Sequence, residues 1–143
     1  MDLQPTFKEL GLITPLLNQL AKLNYNTPSP IQAASIPILL KKKDIMGLAQ
    51  TGTGKTAAFA LPLIQNLTQS GISAKAGQIR SLILCPTREL AQQIIENIRS
   101  YSSKLQISST AIFGGVGYGP QIKALSKGLD ILVATPILPS REE

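Results

Sequence analysis

The stretch DIMGLAQTGTGKTAAF, residues 44–59, runs from an apolar segment through a glycine-rich loop into a helix-forming segment. Residues 44–49 read as a short buried strand, and residues from about Gly54 to Gln69 as a helix. Between them AQTGTGKT (49–56) follows the phosphate-loop pattern G-x-x-x-x-G-K-[ST], with Ala49 at the first position, which needs only to be small. Gly52 and Gly54 permit backbone angles that turn successive N–H groups inward toward phosphate oxygens. Gln50, Thr51 and Thr53 complete that cradle, and the helix adds its positive N-terminal end. Lys55 supplies a point charge to the β and γ phosphates, and the Thr56 hydroxyl is placed for Mg²⁺. Strand, loop, Lys-Thr and helix in this order indicate a nucleoside triphosphate. They leave open which base it carries and what work it does.

The rest of the chain repeats the strand–helix alternation. Thr14-Pro15 starts a helix over 15–24, with Leu16, Leu17, Leu20 and Leu23 on one face. Ser29-Pro30 starts another over 30–35, which Pro37 is expected to break or restart. SLILC (81–85), ISSTAIF (107–113) and DILVA (130–134) read as further strands, the first ended by Pro86. Thr87 caps a long helix carrying Leu90, Ile94, Ile98 and Tyr101 at helical spacing. GGVGYG (114–119) is expected to turn, and a short helix follows near 120–127. Strands apolar on both faces, alternating with helices, imply an α/β fold with a parallel sheet flanked by helices.

Composition narrows the partners. With 143 residues, 43% apolar and 15% charged, the chain suits one folded domain. Fourteen Lys and Arg against eight Asp and Glu give a net charge of +6, which favours a polyanion or merely aids solubility. One cysteine, Cys85, leaves no internal disulfide partner, and the absence of His excludes a Cys/His zinc cluster. The start, MDLQPTFKEL, has no apolar signal core, and no run approaches about 18 apolar residues. The chain is therefore read as soluble and cytoplasmic, with no membrane partner.

Phe7, YNTPSPIQ (25–32), AQTGTGKT (49–56), PTRELA (86–91), GG (114–115) and ATP (134–136) stand in order along the chain. In that order and spacing the chain resembles the DEAD-box RNA helicases from about Phe7 to Pro136. AQTGTGKTAAFALPLIQ and FGGVGYGPQIKAL look most like the bacterial RhlE-type branch. The resemblance implies a partial RecA-like domain over 36–136, preceded by an adenine-recognition segment, the Q motif, over 5–33 and followed by a divergent tail over 137–143. It also implies ATP and Mg²⁺ as cofactors. Gln32 would read adenine, because one amide bonds both its N6 donor and its N7 acceptor. Phe7 would pack on the ring and Tyr25 would support the same pocket. By the same resemblance Thr87, Arg88, Gly114, Gly115 and Thr135 would touch the sugar-phosphate backbone of RNA. Such contacts are independent of base sequence and sensitive to salt. Helix capping is the plainer role for Thr87, and the two are compatible. Lys41-Lys42-Lys43 reads as a solvated turn.

Hydrolysis needs an aspartate at the carboxyl end of a buried strand to help hold Mg²⁺, and an acid to orient water. Asp2 and Glu9 precede the core, and Asp44 and Asp130 open their strands at the wrong edge of the sheet. Glu89 and Glu96 belong to the helix after PTR, and Glu142 and Glu143 follow no strand. In the family the Asp-Glu-Ala-Asp segment comes later than residue 136. Thr135-Pro136 is followed by Ile137-Leu138, where the family has Gly-Arg, and ILPSREE matches nothing in its pattern. The expectation is a truncated or frameshifted amino-terminal part, able to hold ATP and not to split it alone, with unpaired sheet edges and marginal stability. The rival readings are a non-catalytic or pseudogene product that at most binds nucleotide, and an unrelated P-loop kinase or ATPase. PSPIQ and PTRELA have no role in the last of these.

Overall fold

Hydrophobic spacing, glycine turns and proline starts yield five helices and three strands in the computed structural model, which describes residues 4–113 and 118–136. The chain divides into two compact units, Met1–Gly71 with Asn97–Ile107, and Ile72–Glu96 with Ser108–Glu143.

The first unit holds α1 (Thr14–Lys22), α2 (Pro30–Leu40) and α3 (Lys55–Gln69), with α2 packed on α3. Leu16 and Leu20 of α1, Ile36 of α2, and Leu61 and Ile64 of α3 are buried. Polar side chains fasten the apolar contacts. Gln65 accepts from the Ile13 N–H at 2.8 Å and donates to the Gly11 carbonyl at 2.9 Å, tying the turn before α1 to α3. Gln19 donates to the Ser100 carbonyl and the Ser103 hydroxyl, at 2.8 and 2.6 Å. The α1 start is as expected within a residue, but Ile13 occupies the cap and no side chain caps there.

Pro37 does not break α2. The helix runs through it to Leu40, forgoing one backbone bond, and Asn66 donates to the Leu39 carbonyl at 3.0 Å near its end. Burial of Ile36 and packing on α3 outweigh the missing bond. The buried Pro62 inside α3 is carried in the same way between Leu61 and Ile64.

A second expectation fails at residues 44–49. They form no strand; residues 43–50 have no regular structure, and Met46 and Leu48 are each 87% exposed. A strand exists only by pairing, and no described strand pairs with this segment. The apolar pattern was legible and the partner was not.

In the second unit β1 (Ile79–Leu84), β2 (Ser109–Ile112) and β3 (Leu129–Ala134) make a parallel sheet in the order β1-β3-β2. α4 (Arg88–Tyr101) lies between β1 and β2 in sequence, and α5 (Tyr118–Ser126) between β2 and β3. Leu84 and Ile112 both stand opposite Ala134, so the three carboxyl ends are level. The central β3 is buried along Leu129–Val133. β1, expected to be buried, has a single neighbour among the described strands, and its Leu82 and Leu84 are 51% and 63% exposed. Edge strands keep an unpaired side.

Asp130 sits at the amino end of β3, as its sequence position implied, and is buried. Its carboxylate takes a 2.9 Å ion pair from Arg80, a 2.9 Å bond from the Ser108 N–H and a 3.3 Å bond from the Ser108 hydroxyl. Four residues at roughly 3.3 Å each place it about 13 Å along the strand from Ala134. It joins strands at the amino edge of the sheet.

Candidate functional site

The phosphate loop and the 25–32 segment fall in the first unit. α3 begins at Lys55 with Gly54 as its cap at φ +85°, and Gly52 is also left-handed at φ +83°. The N–H groups of the first turn of a helix have no partners within it, and no described backbone carbonyl accepts from the backbone N–H groups of Gly52 through Thr56. Thr53 folds its hydroxyl onto the Gln50 carbonyl at 2.6 Å. Lys55 donates from Nζ to the Ala49 carbonyl at 2.6 Å, which holds its ammonium back over the loop. Thr56 is half-buried in the first turn of α3, beside these groups in sequence.

Gln32, a residue type usual on helix surfaces, is buried here, at 6% exposure. Ser29 caps α2, accepting from the Gln32 N–H at 3.4 Å, while the Ser29 N–H donates to Gln32 Oε1 at 2.9 Å. This is a capping box, S-x-x-Q. Gln32 Nε2 donates to the Gly54 carbonyl at 3.2 Å. An N–H on one side and a carbonyl on the other fix which amide atom is oxygen and which nitrogen. Each atom retains one further bonding capacity, an acceptor on Oε1 and a proton on Nε2. The Gln32 amide is thus attached to the cap of α3.

Gly54 is needed twice over. Its φ disfavours any side chain, and an added Cβ would meet Gln32 Nε2 and come within 3.1 Å of the Ser29 hydroxyl. Gly54→Ala is expected to cost about 1–2 kcal/mol of stability from the left-handed backbone alone. It should also weaken ATP binding by at least about ten-fold, because the Gln32 amide must move. Thermal melts and a fluorescent-nucleotide titration measure the two; unaltered affinity would show that the loop and amide are independent.

The other adenine candidates are placed less directly. Phe7 is buried at 5% exposure, leaving its ring little free surface. Tyr25 is 39% exposed and meets Tyr101 edge-on, with ring centroids 6.2 Å apart. Burial pushes the Tyr101 hydroxyl well above the usual tyrosine range, and Tyr25 pushes it further by hydrogen bond and charge.

The RNA candidates Thr87, Arg88 and Thr135 lie in the second unit, around the level carboxyl ends of the strands. Thr87 caps α4, its hydroxyl accepting from the Leu90 N–H at 3.2 Å. Its carbonyl accepts from the Thr135 hydroxyl at 3.5 Å, and the Thr135 N–H donates to Ile112 at 3.2 Å. The buried Cys85, just past β1, donates its N–H to the Ala134 carbonyl at 3.0 Å. The Arg88 guanidinium lies 5.3 Å from the centroid of the Phe113 ring. Gly114 and Gly115, Asp2 and the 137–143 tail lie outside the described residues.

The DEAD/DEAH box helicase family pattern matches residues 29–139. The chain belongs to that family. The chain is 48% identical over 136 residues to the ATP-dependent RNA helicase DeaD of Escherichia coli, covering 94% of this chain and 21% of the relative. It is 47% identical over 131 residues to the ATP-dependent rRNA helicase rrp3 of Schizosaccharomyces pombe, covering 92% and 27%. The DEAD-box chain therefore spans about a fifth to a quarter of the length of these relatives. Among solved structures it is similar to a DEAD box protein of Methanococcus jannaschii, at TM-score 0.81 and 37% identity, covering 92% of this chain and 34% of that one. It is also similar to the RNA helicase Prp28 of Chaetomium thermophilum bound to ADP, at TM-score 0.84 and 41% identity, covering 93% and 32%. These neighbours agree with the α/β reading and its helix-flanked parallel sheet. No helix among the described residues is long and apolar enough to cross a membrane.

Two contacts of these arrangements escaped the motif reading. Ser29 was read as the start of α2, but its backbone N–H bond to the Gln32 side chain was not, although the S-x-x-Q spacing was the available signal. Phe113 stands 25 positions from Arg88, and no local pattern pairs them.

Proposed function

We propose that the chain is the ATP-binding amino-terminal part of an ATP-dependent DEAD-box RNA helicase, and that alone it binds ATP without hydrolysing it. The observation that carries the first half is the Gln32 amide, oriented by Ser29 and attached to Gly54. Its remaining acceptor and proton match the N6 donor and N7 acceptor of adenine. Tyr25 and Phe7 belong to the adenine side, and residues 49–56 hold the phosphates, with Lys55 giving charge and the α3 N-terminus giving N–H groups. Mg²⁺ when bound would neutralise phosphate charge. Thr56 would be this chain's ligand to it, since no cluster of three His, Cys, Asp or Glu exists among the described residues. The other ligands would come from phosphate oxygens and water.

Thr87, Arg88 and Thr135 support RNA backbone contact, joined by Gly114 and Gly115 in this reading. Within the family we place the chain in the RhlE-type branch, on AQTGTGKTAAFALPLIQ and FGGVGYGPQIKAL alone. A cytoplasmic location and the division at 5–33, 36–136 and 137–143 belong to the same proposal. The second half of the proposal rests on the acids, because none among the described residues stands at the carboxyl end of a strand.

Titration with ATP, ADP and GTP tests the adenine reading. A good bidentate pair carries about 1–3 kcal/mol of discrimination, or roughly 5- to 150-fold. The unsubstituted chain is expected to prefer ATP to GTP within that range, and Gln32→Met to bring the ratio close to one. Equal affinity of the unsubstituted chain for ATP and GTP would refute the assignment.

A further inference from the structure

Arg88 is long, exposed and flexible by chemistry, yet its guanidinium lies 5.3 Å from the ring centroid of Phe113. The surrounding backbone is held on both sides. Thr87 caps α4 and takes the Thr135 hydroxyl on its carbonyl, while the Thr135 N–H bonds the Ile112 carbonyl. Ile112, at the end of β2, immediately precedes Phe113. The ring and the start of α4 are therefore fixed to the same level strand ends. An aromatic face attracts a guanidinium through its quadrupole, and the flat cation keeps its N–H edges available for phosphate oxygens. Nothing in the PTREL or GG motifs assigns a role to residue 113.

We propose that Phe113 is a positioning residue for RNA binding, holding the Arg88 guanidinium over its ring so that an N–H edge is presented to a backbone phosphate. This rests on the reading of Arg88 as an RNA contact. Ordering the side chain beforehand spares part of the entropy that binding would otherwise cost.

The test is a double-mutant cycle on the 143-residue chain, with fluorescence-anisotropy titration of a single-stranded uridine oligonucleotide. Phe113→Leu keeps apolar volume and removes the π face. It is expected to weaken RNA binding about two- to five-fold, the range of an exposed cation–π contact. Phe113→Tyr should bind like the unsubstituted chain. In an Arg88→Ala background Phe113→Leu should have no further effect, whereas a purely packing role for Phe113 would carry the same loss into both backgrounds. Failure of Arg88→Ala to weaken binding, or of the unsubstituted chain to bind, removes the RNA reading itself. Loss with Arg88→Ala but equal Phe113→Leu effects in both backgrounds overturns only the positioning role. Without RNA, the Arg88 side-chain protons should show an upfield ring-current shift that Phe113→Leu abolishes, and its absence would also overturn the proposal.

Discussion

Lys55→Ala is expected to weaken ATP binding by about 10- to 100-fold while leaving adenosine affinity unaltered. The lysine ammonium is a point charge at the start of α3, and its bond to the Ala49 carbonyl spans the loop. Hydrogen bonds to charged groups contribute about 1.5–3 kcal/mol, and losing one to a triphosphate falls in that range. Adenosine has no phosphate, and its proposed partner Gln32 is anchored by Ser29 and Gly54, whereas the Lys55 ammonium bonds the Ala49 carbonyl. Parallel calorimetric titrations of adenosine, ADP and ATP separate the base from the phosphates. An equal loss for adenosine would mean that Lys55 supports the whole site, and the division of labour proposed above would be wrong.

Asp130→Ala is expected to lower stability by about 3 kcal/mol, near the lower end of what breaking a buried pair costs. The substitution leaves the Arg80 guanidinium without its carboxylate and takes an acceptor from the Ser108 N–H and hydroxyl. Both charged side chains are mostly buried, at 13% and 11% exposure, so solvent replaces these bonds poorly. Replacing both partners at once, Arg80→Met with Asp130→Leu, should recover part of the loss, since both charges are removed together while Ser108 still lacks its acceptor. Urea unfolding measures each variant. A loss below about 0.5 kcal/mol for Asp130→Ala, the scale of ordinary surface substitutions, would show that the network is not structural.

What was legible in the sequence follows how local each signal is. The phosphate loop depends on glycine φ angles and a helix start, all within eight residues, and both left-handed glycines stand where expected. β1, β2 and β3 and the long α4 were legible from apolar runs and spacing, within two residues at most ends. The strand at 44–49 was not, because pairing is decided by partners distant in sequence and no described strand supplies one. Pro37 misled for a related reason. Its local cost is real, but Ile36 and the packing on α3 were invisible from the helix alone. In the site, motif order brought Gln32 and the loop into one hypothesis, whereas the bond from Gln32 to the Gly54 carbonyl required coordinates. The acids show the converse. Eight positions could be placed on a sequence map, and Asp130 then proved to be occupied in joining β1, β3 and Ser108.

The most direct test of the central claim is phosphate release by the 143-residue chain with ATP, Mg²⁺ and single-stranded RNA, run beside an ATP-binding titration of the same sample. The expected result is saturable ATP binding with phosphate release at the protein-free rate. Release above that rate, stimulated by RNA and abolished by Lys55→Ala, would contradict it and place a catalytic acid within this chain.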